Sequence, residues 1–189
     1  EYAEYVETVG EMNCMSIDNW RLANVNTLIC DTYRAIHKIS DDVDFGISPQ
    51  GNIGNNAQIY ADVKTWCICK GFVDYICPQL YYSLDNPALT FEDSLTAWSD
   101  LDINKSVKLY VGLAGYKANS DADEGTWLYS NNILADEYKT AVNNEKVSGI
   151  MLYSYSALKD ENASTEIANL TKAMSNNLDA ENQTTVPIQ

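Results

Sequence analysis

Basic side chains are scarce: 12 Lys and Arg stand against 27 Asp and Glu, a formal charge of −15 over 189 residues. A surface of that sign repels phosphate backbones, so no nucleic-acid partner is expected. No stretch approaches the roughly 18 consecutive apolar residues that a membrane-spanning helix needs, and no membrane span is expected. The N-terminus lacks the charged-then-apolar pattern of a signal peptide, and the chain opens on Glu1 without a Met, as a processed or excised product would. His37 is the one histidine, and the cysteines Cys14, Cys30, Cys67, Cys69 and Cys77 are odd in number and irregular in spacing. That count excludes a complete disulfide framework. One C-x-C pair and one histidine barely supply a zinc cage, so no metal site and no cofactor are expected. Cysteine reads here as a small buried hydrophobe. With 4 Pro, 9 Gly, 46% hydrophobic and 21% charged residues the composition is neither disordered nor collagen-like. A chain of this length buries roughly 70% of its unfolded surface, enough for a substantial core.

Four short apolar runs have strand character: Asp44–Ser48, Asp74–Tyr81, Lys108–Leu113 and Gly149–Tyr155. Helical patterns lie before and between them. Trp20–Ile39 places Leu22, Val25, Ile29, Tyr33 and Ile36 on one face, and Ala57–Lys70 does the same with Ile59, Tyr60, Val63, Trp66 and Cys67, closed by Gly71. Shorter helices fit Phe91–Asp100, Leu128–Val142 and Ala163–Leu178. The strands begin about 30 to 40 residues apart, the length of a repeated β-loop-helix unit, which gives a parallel sheet with helical crossovers. Residues 179–189, DAENQTTVPIQ, lose the periodicity and read as a linker or tail.

Two α/β architectures compete, a doubly wound open sheet and part of a (β/α)8 barrel. An open sheet carries a glycine-rich phosphate loop after its first strand, and SPQGNIGNN does not match G-x-G-x-x-G. A complete barrel needs eight strands in about 250 residues. Four strands fit the C-terminal half of such a TIM-type barrel, residues 1–178.

In either fold, function gathers at the C-terminal ends of the strands. Alternation along each strand sends Ser48, Gln50, Gln79, Tyr81, Tyr116 and Tyr155 into the upper interior, with Met151 and Tyr153 lower on the same face. Amides, hydroxyls and tyrosine faces suit a hydroxylated ligand, because tyrosine offers an apolar plate to sugar C–H groups and a polar tip to hydroxyls. The competing reading is that several of these six only fill a barrel core. His37 reads as a packed or solvated helix-flank residue. Asp121, Asp123 and Glu124 lack calcium-loop spacing and read as a solvated loop. Glycoside hydrolysis needs two carboxyl groups about 5 to 9 Å apart, yet none of the four strand ends carries Asp or Glu. No G-x-S-x-G elbow occurs either. Catalytic residues therefore stay unassigned.

The series NWRLANVN (19–26), DFGISPQG (44–51), GFVDYICPQLYY (71–82), LYVGLAGYK (109–117) and GIMLYSYSAL (149–158) resembles, in order, the C-terminal half of the glycosyl-hydrolase-like 10 family. The resemblance implies a (β/α)8 barrel acting on glycans, peptidoglycan strands among them, exported or at the cell surface of a bacterium. It matches Trp20, Arg21 and Asn24 to a helix-start motif, and Ser48, Pro49, Pro78, Gln79, Tyr81, Tyr116, Lys117, Ser154 and Tyr155 to strand ends. The chain departs from the family pattern at Tyr82 and Gln50. The family's acidic strand belongs to the first half of the barrel, so the catalytic carboxylates are expected upstream of Glu1.

Together these observations describe part of a glycoside hydrolase whose substrate-contacting residues are Ser48, Gln50, Gln79, Tyr81, Tyr116, Lys117 and Tyr155. The expected partners are carbohydrate, the upstream half of the same barrel and, for the isolated chain, another copy of itself. The rivals are a non-catalytic glycan-binding module and a free-standing α/β interaction domain.

Overall fold

The computed structural model describes residues 1–184. Two helices, α1 (Tyr2–Val9) and α2 (Ile17–Ile39), precede four parallel strands, β1 (Gly46–Ile47), β2 (Tyr75–Ile76), β3 (Lys108–Ala114) and β4 (Val147–Tyr153). The strands lie in the order β1-β2-β3-β4 in a single sheet. Crossovers run through α3 (Ile53–Gln58), α4 (Val63–Ile68), α5 (Phe91–Ser99) and α6 (Ile133–Val142), and α7 (Ser164–Thr184) follows β4. Consecutive parallel neighbours joined by helices are one side of a (β/α)8 barrel, as the strand rhythm required.

The two faces of the sheet differ sharply. Leu109, Val111 and Leu113 are buried beneath Phe91, Leu95 and Trp98 of α5 and Ile133, Leu134 and Tyr138 of α6. On the other face Met151 and Tyr153 are exposed. Helix α5 shows why this layer forms: Phe91, Ser94, Leu95, Trp98 and Ser99 share one buried stripe, and the Thr90 hydroxyl accepts from the Asp93 amide to start the helix. The Trp98 indole then donates to Gly51 O at 2.7 Å, tying α5 to the loop after β1.

Three local expectations change. The strands β1 and β2 are two residues long, because Pro49 and Pro78 have no N–H to extend a ladder. Pairing resumes beyond each proline as the single bridges Gln50–Gln79 and Gln79–Gly112. The helix expected over Ala57–Lys70 is two helices, broken at Tyr60 with φ 57°, and restarted where Asp62 caps the Thr65 amide. Buried Asn56 holds the preceding loop by bonding both Gln50 N (3.1 Å) and Gln50 O (2.9 Å). Finally, α7 runs to Thr184, so positions 179–184 of the expected tail are helical, and 185–189 lie outside the described residues.

Gly46 and Gly51 are close-approach positions, not parts of a phosphate loop. A Cβ at Gly46 would lie 2.2 Å from the Tyr75 ring, and one at Gly51 would lie 2.2 Å from Gln79 O. Among the described residues no helix is long and apolar enough to cross a membrane.

Among the described residues the outer strands β1 and β4 each lack a second neighbour, and the exposed inner face of the sheet is partly apolar. Open strand edges recruit further strands. The isolated chain is therefore expected to self-associate at micromolar concentration, and light scattering that found a rigid, fully folded monomer would contradict this.

Candidate carbohydrate site

Three consecutive strand ends bring Tyr81, Tyr116 and Tyr153 into one aromatic cluster. The Tyr81 and Tyr153 rings stack at 5.7 Å and 26°, and Tyr116 stands edge-on to both at 5.8 Å. Gly112 makes room for this arrangement, since a Cβ there would lie 3.3 Å from the Tyr81 ring. Tyr116 and Tyr153 remain exposed, so the cluster presents aromatic surface outward. Burial pushes the Tyr81 hydroxyl up to about 12, with Cys77, Tyr116 and Tyr153 adding to the shift. Burial, Asp123 and Tyr153 raise Tyr116 as well. Both are neutral hydroxyls near pH 7, able to donate to a sugar oxygen and unsuited to act as bases.

The ends of β1 and β2 supply the polar side. Ser48 and Gln50 are exposed, and Gln79 Nε2 donates to Ser48 O at 3.0 Å, which bridges the two strand ends and orients the amide. Tyr82 packs against Gly51, 2.9 Å from where a Cβ would stand. Tyrosine plates beside amides and hydroxyls form a surface complementary to a hydroxylated ring.

Two of the sequence-nominated residues sit differently. Tyr155 lies past the strand end, in a 3-10 turn spanning Tyr155–Lys159; it is 69% exposed, with Lys159 Nζ 4.7 Å from its ring centre. Strand alternation ends at Tyr153, which occupies the cluster position instead. Lys117 is mostly buried, and its Nζ donates to Tyr81 O (2.7 Å) and to Asp123 Oδ1 (2.8 Å) and Oδ2 (3.0 Å).

The acidic loop is likewise not simply solvated. Asp123 Oδ2 also accepts from the Trp127 indole at 2.8 Å. Burial alone would raise the Asp123 carboxyl. Bonds from Lys117, Trp127 and Asn86, with the Lys117 charge, outweigh it and hold the group below its usual range. Asp123 (φ 53°), Glu124 (φ 59°) and Gly125 (φ 81°) form a left-handed run, which costs about 1 to 3 kcal/mol at each non-glycine residue and persists only where neighbours over-determine it.

Behind this loop are two carboxyls that periodicity alone could have flagged. On α6, Ile133, Glu137 and Ala141 share one buried face. Glu137 is 0% exposed, and among the described residues neither of its side-chain oxygens has a hydrogen-bond partner. Burial, then Glu166, raise its carboxyl well above the ordinary range. Glu166, 1% exposed, reaches from α7 to accept from Ile133 N and Leu134 N, both at 3.0 Å, and so caps the N-terminus of α6.

The remaining candidates are structural. His37 Nε2 meets Asp74 Oδ2 at 2.9 Å, and the same oxygen accepts from Phe45 N at 2.7 Å, before the first residues of β1 and β2 and away from the strand ends. Cys67 and Cys77 are buried, which pushes their thiols up to about 12 and about 11, whereas Cys69 is exposed. Among the described residues no group of three or more His, Cys, Asp or Glu is placed to hold a metal ion. A cavity of about 650 Å³ between the start of α2 and the α3–α4 turn, lined by Asp18, Leu22, Ala57 and Tyr60, shares no residue with the strand-end site.

The strand ends of this parallel sheet thus carry a tyrosine-lined face. The glycosyl hydrolase-like 10 family model matches residues 2–129, and the chain belongs to that family. It is 34% identical over 139 residues to a glycosyl hydrolase of Bacillus subtilis (strain 168), YngK, covering 65% of this chain and 27% of that protein. It is 26% identical over 153 residues to the glycosyl hydrolase DigH of Escherichia coli (strain K12), covering 71% of this chain and 35% of that protein. The chain thus spans about a third or less of the length of these relatives.

Proposed function

We propose that this chain forms the sugar-binding side of a glycoside hydrolase acting on a bacterial polysaccharide, with peptidoglycan glycan the leading candidate. The observation that carries the reading is the Tyr81–Tyr116–Tyr153 cluster beside Ser48, Gln50 and Gln79 on consecutive strand ends, all but Tyr153 within the residues that the family model matches. Its residues bind and orient: tyrosine faces stack on sugar rings, and hydroxyls and amides exchange hydrogen bonds with ring substituents. The acid and the nucleophile or base would come from strands upstream of Glu1 in the complete protein, on the other side of the groove. A bacterial surface or extracellular location is where such a glycan would be met.

In the complete protein, Tyr81→Ala and Tyr116→Ala are each expected to weaken binding of glycan strands by about 1 to 3 kcal/mol, the scale of one lost aromatic platform. Calorimetric titration with amidase-released peptidoglycan strands measures this. Wild-type affinity in both variants would make the cluster a packing feature. The absence of Asp and Glu from the strand ends among the described residues favours a second reading, a glycan-binding module without hydrolysis. Binding without turnover in the complete protein would select it.

A further inference from the structure

We infer that Lys117 is a positioning residue, not a sugar ligand: with Asp123 it clamps the ends of β2 and β3 so that Tyr81 and Tyr116 hold their edge-to-face geometry. This rests on the tyrosine cluster being the sugar-binding surface. An ammonium group has three protons and no acceptor. Those of Lys117 face three acceptors, Tyr81 O and the two oxygens of Asp123, at 2.7, 2.8 and 3.0 Å. The two Asp123 oxygens belong to one carboxylate and lie close enough to share a proton, so the ammonium is spent on the Tyr81 carbonyl and the Asp123 carboxylate, and its side chain is only 16% exposed to an incoming hydroxyl.

What the clamp joins gives it a role. Pairing between the second and third strands ends at the Gln79–Gly112 bridge. Past it, Tyr81 and Tyr116 stand on chain segments that no longer share a ladder. The Lys117 side chain spans that gap, beginning on the residue next to Tyr116 and ending on the carbonyl of Tyr81. Asp123 fixes the ammonium in turn, held by the Trp127 indole at 2.8 Å in a left-handed backbone conformation. The Asp123 loop is docked independently through the Ser83–Thr126 hydroxyl pair at 2.6 Å. Removing either charge frees the other to hydrate, and the two tyrosine segments then move separately. An aromatic platform that stands off by about 1 Å forfeits roughly a quarter to a half of its dispersion contact.

The test uses the intact protein carrying 3-fluorotyrosine, with the three ¹⁹F resonances assigned through Tyr81→Phe, Tyr116→Phe and Tyr153→Phe. Amidase-released peptidoglycan glycan strands serve as the probe. Lys117→Met and Asp123→Asn are each expected to shift and broaden the three resonances and to weaken probe binding about tenfold. The double variant should be no worse than either single one, because the two act as a unit, and Lys117→Arg should restore part of the loss. Lys139→Met, which breaks the exposed Lys139–Asp136 pair, should change neither readout. Weaker binding with unmoved resonances would make Lys117 a direct sugar contact and overturn the inference, as would unmoved resonances with full binding. Should the wild type not bind the probe, the groove reading fails, while the resonances still decide whether the clamp holds the tyrosines. If Lys117→Met does not fold, Asp123→Asn carries the same comparison.

Discussion

The 189-residue chain, purified by itself, is expected to release no reducing ends from peptidoglycan glycan or from α- and β-linked oligosaccharides. Hydrolysis needs a carboxylic acid within hydrogen-bond reach of the glycosidic oxygen and a second carboxylate on the other side, about 5 to 9 Å away. The strand ends offer Ser48, Gln50, Gln79, Tyr81, Tyr116 and Tyr153. The nearby carboxyls are committed or misplaced. Asp123 is held by Lys117 and Trp127, and Glu137 is sealed beneath the surface. Asp74 lies before β2 with His37, and Asp62 caps α4. Asp85 and Asp121 are exposed on loops, where nothing holds them to the precision a catalytic pair needs. Reducing-end release by the purified chain, abolished by Asp85→Asn, would place the catalytic site in this half.

Replacing Glu137 by Leu is expected to stabilise the protein by about 1 to 3 kcal/mol at pH 7, the cost of a buried polar group without a partner. Most core substitutions destabilise, so the sign is diagnostic. The pH dependence follows from the groups around Glu137, which are Glu166 from α7, Lys117 and Asp123. Burial holds its folded-state carboxyl well above the ordinary value of 4.5, so above that pH the unfolded chain releases a proton that the folded chain retains. Stability therefore falls as pH rises from about 4.5 toward the folded-state value. Asp123 has the opposite sign: its depressed folded value adds stability above about 3.8, lost as pH falls through the folded value. Urea unfolding at pH 5 and pH 8 should show a smaller difference in Glu137→Gln, which keeps the shape and removes the proton. Glu137→Leu should also raise the pH 7 midpoint. A loss of 3 kcal/mol or more in Glu137→Leu would mean that Glu137 has a partner that stabilises it.

The sheet was legible because its signals are local. Residues Leu109, Val111 and Leu113 alternate on one side of β3, and the spacing of the four runs demanded parallel crossovers. Both hold in the structure, as does the helix expected over Phe91–Asp100, which runs from Phe91 to Ser99. The same alternation placed Tyr81 and Tyr116 together and put Tyr153 on their face. It failed at Tyr155, because a backbone that enters a 3-10 turn no longer sends every second side chain to one side. The break at Tyr60 escaped helical periodicity for a related reason, since Ile59, Tyr60 and Val63 keep the apolar count while the chain changes direction.

Alternation and helical period are properties of the backbone at adjacent residues, and together with the spacing of the runs they determined the strands, the helices between them and the tyrosine-bearing face of this protein without help from distant contacts. Whether a charged side chain is free or spent was decided only by tertiary structure. Lys117 and Asp123 are six residues apart in a loop of no regular period, and their pairing needs the carbonyl of Tyr81, 36 residues away, as a third partner. Glu137 became an acid without a partner because α7 and the Asp123 loop closed over it, and desolvation depends on every group that excludes water from the site.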